Sequence, residues 1–104
     1  MSKYKAASEE ILNLIKEKNF ILAKDKLIKF DKEKDYHYFN FLGFVLQELG
    51  EFNDAEKNYN KSYELNKDFF EARFNLACLY FKKKSYLEAE KIFLELVNKN
   101  ILLD

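Results

Sequence analysis

Few side chains in this chain could carry out covalent chemistry, and none has neighbours that would enable it. His37 is the single histidine. No Cys or second His stands at metal-ligand spacing from it, so its plain reading is a solvated or surface-facing imidazole. Cys78 is the single cysteine and can form no intramolecular disulfide. Set between Ala77 and Leu79, it reads as a small, semi-buried hydrophobe. A nucleophilic thiol needs an activating cation, and the sequence places none beside it. Acid pairs such as Glu9–Glu10 read as solvated helix faces. Gly43 and Gly50 are isolated, so there is no glycine-rich loop to cradle phosphate, and no general acid–base pair can be assembled. The expectation is a chain that is not an enzyme, with no catalytic residue, no metal site and no cofactor.

Charge excludes further classes. Eighteen basic residues balance 18 acidic ones to a net charge of zero, and their signs are interspersed. A nucleic-acid surface needs a basic stripe. The one basic run, Lys82 to Lys84, reads as a helix C-terminus, where cations meet the negative end of the helix dipole. The opening MSKYKAASEE has no apolar stretch behind its charges, so no secretory signal is expected. The longest apolar runs, such as 41–46, are far too short to cross a bilayer. No nucleic acid and no membrane insertion are expected, and the expected location is the cytoplasm.

The elements that position these residues are helices. The chain of 104 residues has no Pro and only two Gly, and its many Lys, Glu, Leu and Asn favour long helices with short connections. That length is consistent with one domain, able to bury roughly two-thirds of its unfolded surface.

Apolar residues at Tyr4, Ala7, Ile11, Leu14 and Ile15 draw one helical stripe over 3–18. Asn19 then offers a turn and an N-cap. A second stripe follows at Phe20, Ala23, Leu27 and Phe30, and the charged run 31–35 reads as a loop. The segment YHYFNF (36–41) alternates, but its apolar positions continue at helical spacing through Phe39, Leu42, Gly43 and Leu46. Gly50 is placed to end that helix in the left-handed conformation. The next helix turns Phe52, Ala55, Tyr59, Ser62 and Leu65 inward. A fifth carries Phe70, Leu76, Ala77 and Tyr80, and a sixth, with Ser85 as its cap, carries Tyr86, Ala89, Phe93 and Leu96. A short apolar tail, Ile101 to Leu103, closes the chain.

The stretch 36–65 meets itself when shifted by about 34 residues. Leu42 falls on Leu76, Ala55 on Ala89, Glu56 on Glu90 and Lys57 on Lys91, while Phe52 falls on Tyr86 and Tyr59 on Phe93. A fixed period of this length marks stacked helical hairpins. Small residues recur where two helices must approach, Gly43 and Ala77 on the first helix of a pair, Ala55 and Ala89 on the second.

The chain resembles the tetratricopeptide repeat family, whose pattern is an aromatic, then Leu-Gly, Tyr, Ala, Phe and Pro. In the second repeat these places hold Phe39, Leu42–Gly43, Leu46, Ala55, Tyr59 and Lys67. In the third they hold Arg73, Leu76–Ala77, Tyr80, Ala89, Phe93 and Ile101. In the first only Phe20, Ala23 and Leu27 match, and that repeat is about two residues short of the period. The resemblance implies an all-α fold of about three hairpin repeats (3–35, 36–69 and 70–99, with 100–104 as a tail). They would form one domain over 1–104, stacked into a short right-handed superhelix.

It further implies a concave groove lined by the first helix of each repeat. Carried over by register, the groove residues are Leu12 in the first repeat and His37, Asn40, Phe44 and Gln47 in the second. In the third they are Glu71, Phe74, Asn75, Cys78 and Phe81. Phe44, Phe74 and Phe81 would anchor an apolar or amphipathic peptide segment of another protein, with Asn40, Gln47 and Asn75 bonding its backbone. The same rings could instead be plain core.

Some members of the family clamp acidic chaperone tails with cations. The matching places here hold Ser8, Leu12, Phe41, Glu71 and Asn75, so no such binding is expected. The alternative function is self-association into a homodimer. The last helix carries Ile92, Phe93, Leu94, Leu96 and Val97, without the polar outer face that the end of a repeat array needs.

Overall fold

The computed structural model describes residues 5–99. Six helices follow in order: α1 Lys5–Lys16, α2 Phe20–Ile28, α3 Tyr36–Glu48, α4 Phe52–Leu65, α5 Phe70–Lys82 and α6 Tyr86–Asn98. Sequential helices pack on one another as hairpins, and α2–α3 and α4–α5 contacts join the hairpins into a stack. The fold is all-α, a solenoid of helical-hairpin repeats. Tyr4 and the apolar tail Ile101–Leu103 lie outside the described residues, and so does the side chain of Ala7.

The turn inside each hairpin is the same backbone motif built from different side chains. Lys18, Gly50 and Lys84 occupy the left-handed region, at φ 59°, 80° and 65°. The amides that follow them, of Asn19, Glu51 and Ser85, donate to Leu14, Leu46 and Tyr80 oxygens at 2.8–2.9 Å. This six-to-one bond satisfies a carbonyl that the helix end would leave unpaired. The residue after the turn then opens the second helix with a ring, Phe20, Phe52 or Tyr86. Asn19 caps α2 through a long 3.4 Å bond from the Leu22 amide. Ser85 stands at the cap of α6, but its hydroxyl makes no capping bond. The cap residues nonetheless share one backbone conformation, near φ −90° and ψ 68°. The bonds across the turn, and not the cap side chains, set that geometry.

The links between hairpins are held by side chains. Asp35 caps α3 by accepting from the Tyr38 amide at 3.0 Å, and the Tyr38 hydroxyl donates to the Leu27 carbonyl at the end of α2, 2.8 Å away. The ring of Phe30 stacks on Tyr38. Within the second hairpin, Ser62 on α4 donates to the Tyr36 carbonyl at 2.7 Å, which satisfies its otherwise costly buried hydroxyl.

The core is in two parts. One gathers Ile11, Leu14, Ala23, Leu27, Tyr38 and Val45 between α1, α2 and α3. The other gathers Leu46, Ala55, Tyr59, Leu76, Ala77, Leu79, Ile92 and Leu96 from α3 to α6. Val45 and Leu46 are adjacent in sequence yet serve different clusters, because α3 has a neighbour on each side. For that reason the single inward stripes expected from the sequence omit Tyr38, Val45, Leu79 and Ile92. Two residues expected inward are exposed: Leu65 in the last turn of α4, and Tyr86, whose side of the stack has no following helix among the described residues. Arg73, which replaces the aromatic expected early in the third repeat, lies over the Tyr63 ring at 5.2 Å. It also bonds Glu95 of α6 at 3.2 Å.

Candidate functional site

Close approach of α3 and α4 begins with a glycine. A Cβ at Gly43 would lie 2.7 Å from Cδ1 of Tyr59, so the ring lies directly over the bare backbone. The Tyr59 hydroxyl then reaches across to the Gln47 amide oxygen at 2.8 Å. Burial pushes the Tyr59 phenol above its ordinary range, and the Glu48 charge adds to that. With α3 fixed in this way between its neighbours, one edge of it meets α5.

The two helices meet at an amide pair. Asn75 Nδ2 donates to Asn40 Oδ1 at 2.9 Å. Further along, Lys82 of α5 lies 3.6 Å from Glu48 of α3. Phe74, beside Asn75, is 40% exposed, with its ring edge against Phe93. Cys78, one turn on, is half-buried, and burial raises its thiol pKa, the opposite direction from that of an activated thiol. On α1, Leu12 is exposed to the same degree as Phe74. Leu12, Asn40, Phe74, Asn75 and Cys78 therefore reach the surface, at least in part, on the first helices of the three hairpins.

Other expected wall residues are placed differently. Gln47 is 7% exposed and its amide oxygen is taken by Tyr59, so it is an interior residue of the second hairpin. Phe44 is half-buried, edge-on to Phe20 at 6.4 Å and packed against the α3–α6 core. It fills the space between repeats and does not stand free as an anchor. His37 is exposed at the start of α3, its ring 4.4 Å from that of Tyr36 and 5.1 Å from that of Phe69. Glu71 is exposed in the first turn of α5. Phe81 lies towards the far end of the stack, in a groove of about 290 Å³ with Tyr86, Ala89, Glu90, Phe93, Leu94 and Val97.

The basic run is engaged locally. Lys82 pairs with Glu48, Lys83 lies 3.7 Å from Glu56, and Lys84 forms the left-handed turn. Among the described residues no three His, Cys, Asp or Glu side chains group to hold a metal, and no helix is long and apolar enough to cross a membrane.

The family comparison falls on the second and third hairpins. A model of the tetratricopeptide repeat matches residues 36–69, which begin at the first residue of α3, and 70–98, which begin at the first residue of α5. No curated protein and no solved structure matches the chain. The two matched stretches make up more than half of it, and the chain belongs to the tetratricopeptide repeat family.

Proposed function

We propose that the chain is a scaffold holding an apolar or amphipathic peptide segment of another protein along the wall formed by α1, α3 and α5. Repeats of this family bind protein partners. The observation that carries the finer reading is the pairing of an exposed ring with a partly used amide pair. Phe74 offers apolar surface beside Asn40 and Asn75. Among the described residues, the Asn40 Nδ2 donor and the Asn75 Oδ1 acceptor make no other hydrogen bond. One peptide unit of a ligand, with one N–H and one C=O, can use both. Leu12 extends the apolar surface towards the first hairpin. The repeat is a binding architecture, and we assign it no catalytic step. The interspersed charge and the lone thiol favour a reducing compartment, the cytoplasm.

The test is selection of peptides from a displayed random library on the wild-type protein, followed by titration on Phe74→Asp and Asn75→Ala variants. Peptides with apolar anchors whose affinity falls about tenfold or more on either variant support the wall. Peptides that bind both variants as tightly as wild type place binding elsewhere.

A further inference from the structure

The repeat itself allows the two ends of the stack to be compared with its covered interior. In the second hairpin, α5 covers polar groups and satisfies them. Asn40 accepts from Asn75, Glu56 accepts from the Tyr80 hydroxyl at 2.7 Å, and Tyr63 lies under Arg73. One period on, these three positions hold Phe74, Glu90 and Val97. The internal Gln47–Tyr59 hydrogen bond becomes a Phe81–Phe93 pair with nothing to donate or accept. Thus the outermost face is more apolar than the face buried inside the stack, the reverse of what a solvated end requires. Phe81 is 60% exposed, Tyr86 55% and Leu94 52%, and together they border one groove in which Glu90 is the only charge among the described residues.

The opposite end of the stack cannot cover it. A second copy stacked head to tail would offer α1 in the place of α5. By the register of Ala23 on Ala89, the buried Leu76 and Leu79 of α5 would be replaced by Glu10 and Asn13, both exposed. Lys83, which meets Glu56 inside the stack, would be replaced by Glu17, set against Glu90. Like charges, the Asn13 amide and the exposed Glu10–Lys26 ion pair are all costly to set against an apolar face. Growth into an open fibre is disfavoured, so that among contacts between copies a closed one is favoured.

We propose that the α5–α6 outer face pairs with the same face of a second copy, forming a two-fold homodimer with α6 antiparallel to its counterpart and Leu94 near the axis. Such a contact buries aromatic and aliphatic groups and excludes charge, as permanent homodimer interfaces do. In this register Glu90 of one copy lies opposite Asn98 of the other, an exposed amide able to donate to the carboxylate. Phe74 borders both this face and the peptide wall, but Leu94 and Glu90 are not part of the wall, so variants at Leu94 test the dimer apart from peptide binding.

The experiment is sedimentation equilibrium of the full chain from low to high micromolar concentration. Wild type is expected to give a dimer mass that falls on dilution. Leu94→Glu should remain monomeric throughout, with unchanged helical circular dichroism because its site is exposed in the monomer. Leu87→Glu, at an exposed α6 residue outside the groove, should dimerise like wild type. A Cys78→Ser/Leu94→Cys double variant should form an intermolecular disulfide on mild oxidation, as two copies of a residue near a two-fold axis can. A dimer unaffected by Leu94→Glu overturns the proposal. So does a wild-type monomer at every concentration. In that case a rise in apolar-dye fluorescence on removing residues 100–104 would assign the cover to the chain's own end, and strong dye binding already in wild type would leave the face to a different partner.

Discussion

The Tyr59 hydroxyl donates a 2.8 Å hydrogen bond to the amide oxygen of Gln47, and both residues are buried. The phenol crosses from α4 to α3 over Gly43, so one ring closes the second hairpin by contact and by polarity. Removing only the hydroxyl, in Tyr59→Phe, leaves a buried carbonyl oxygen without its partner. We expect a loss of about 1–2 kcal/mol in urea unfolding. The third repeat has already exchanged both partners, for Phe93 and Phe81. A Tyr59→Phe/Gln47→Leu double variant should therefore be more stable than Tyr59→Phe alone, and a double-mutant cycle measures the difference.

Gly43 is constrained by the same ring. A methyl group there would meet Tyr59 Cδ1 and Cε1 at 2.7 and 2.8 Å, and a fully buried ring has little room to retreat. Gly43→Ala should cost about 1–3 kcal/mol, even though alanine is the better helix former. A thermal midpoint above wild type would contradict the close approach described here.

The left-handed turns give predictions of opposite sign. Gly50 has open space around its Cα but a φ of 80°, so Gly50→Ala should lose about 1 kcal/mol through backbone conformation alone. Lys18 and Lys84 adopt nearly the same conformation with a side chain attached. Lys84→Gly should gain a few tenths to about 1 kcal/mol, the relief of strain being partly offset by greater freedom of the unfolded chain. Denaturant midpoints of the two variants, moving apart from wild type, are the check.

These turns show what the sequence made legible. Gly50 is readable because glycine marks a left-handed residue by type. Lys18 and Lys84 carry no such mark, and only the alignment of the three hairpins on Gly50 could have found them. Helix order and the small residues at contacts were readable because they follow period and volume. The wall was less so. Gln47 looks like a surface residue by type, and nothing local indicates that Tyr59 consumes its oxygen. Phe44 and Phe74 share a residue type and a helix face, yet Phe44 is packed by Phe20 and the core whereas Phe74 has no following repeat to cover it among the described residues. Burial on a solenoid depends on the neighbouring repeat, which a single helix pattern does not contain.

Alkaline pH should loosen the fold through its buried phenols. Burial raises both Tyr59 and Tyr80, and for Tyr80 the hydrogen bond to Glu56 adds, to about 12. Lys26, raised by its hydrogen bond with Glu10, titrates with the same sign. Each group holds its proton more tightly folded than unfolded. Its contribution is complete below the unfolded phenol value of about 10 and is lost as pH rises through the folded one. Urea midpoints should be level between about pH 7 and 8, begin to ease as the Cys78 thiol, also raised by burial, titrates, and fall above about 10. A Tyr59→Phe/Tyr80→Phe variant should show a shallower fall.

Phe44 and Phe74 separate packing from binding on the wall. Phe44→Lys removes a half-buried ring packed against Phe20 and the α3–α6 core and leaves a charged chain at that edge, which should cost about 2–4 kcal/mol. This variant should lose much of its helical circular dichroism at temperatures where wild type is folded. Phe74→Asp alters a ring already 40% exposed and should stay within about 1 kcal/mol of wild type. Under the proposed function it should nonetheless lose peptide binding. Neither protein should hold a free acidic C-terminal peptide, because Glu71, exposed in the first turn of α5, puts a negative charge where the proposed wall would need a cation. A Phe74→Asp variant that stays folded but binds selected peptides as wild type does would remove Phe74 from the site, whereas one that unfolds would make it core.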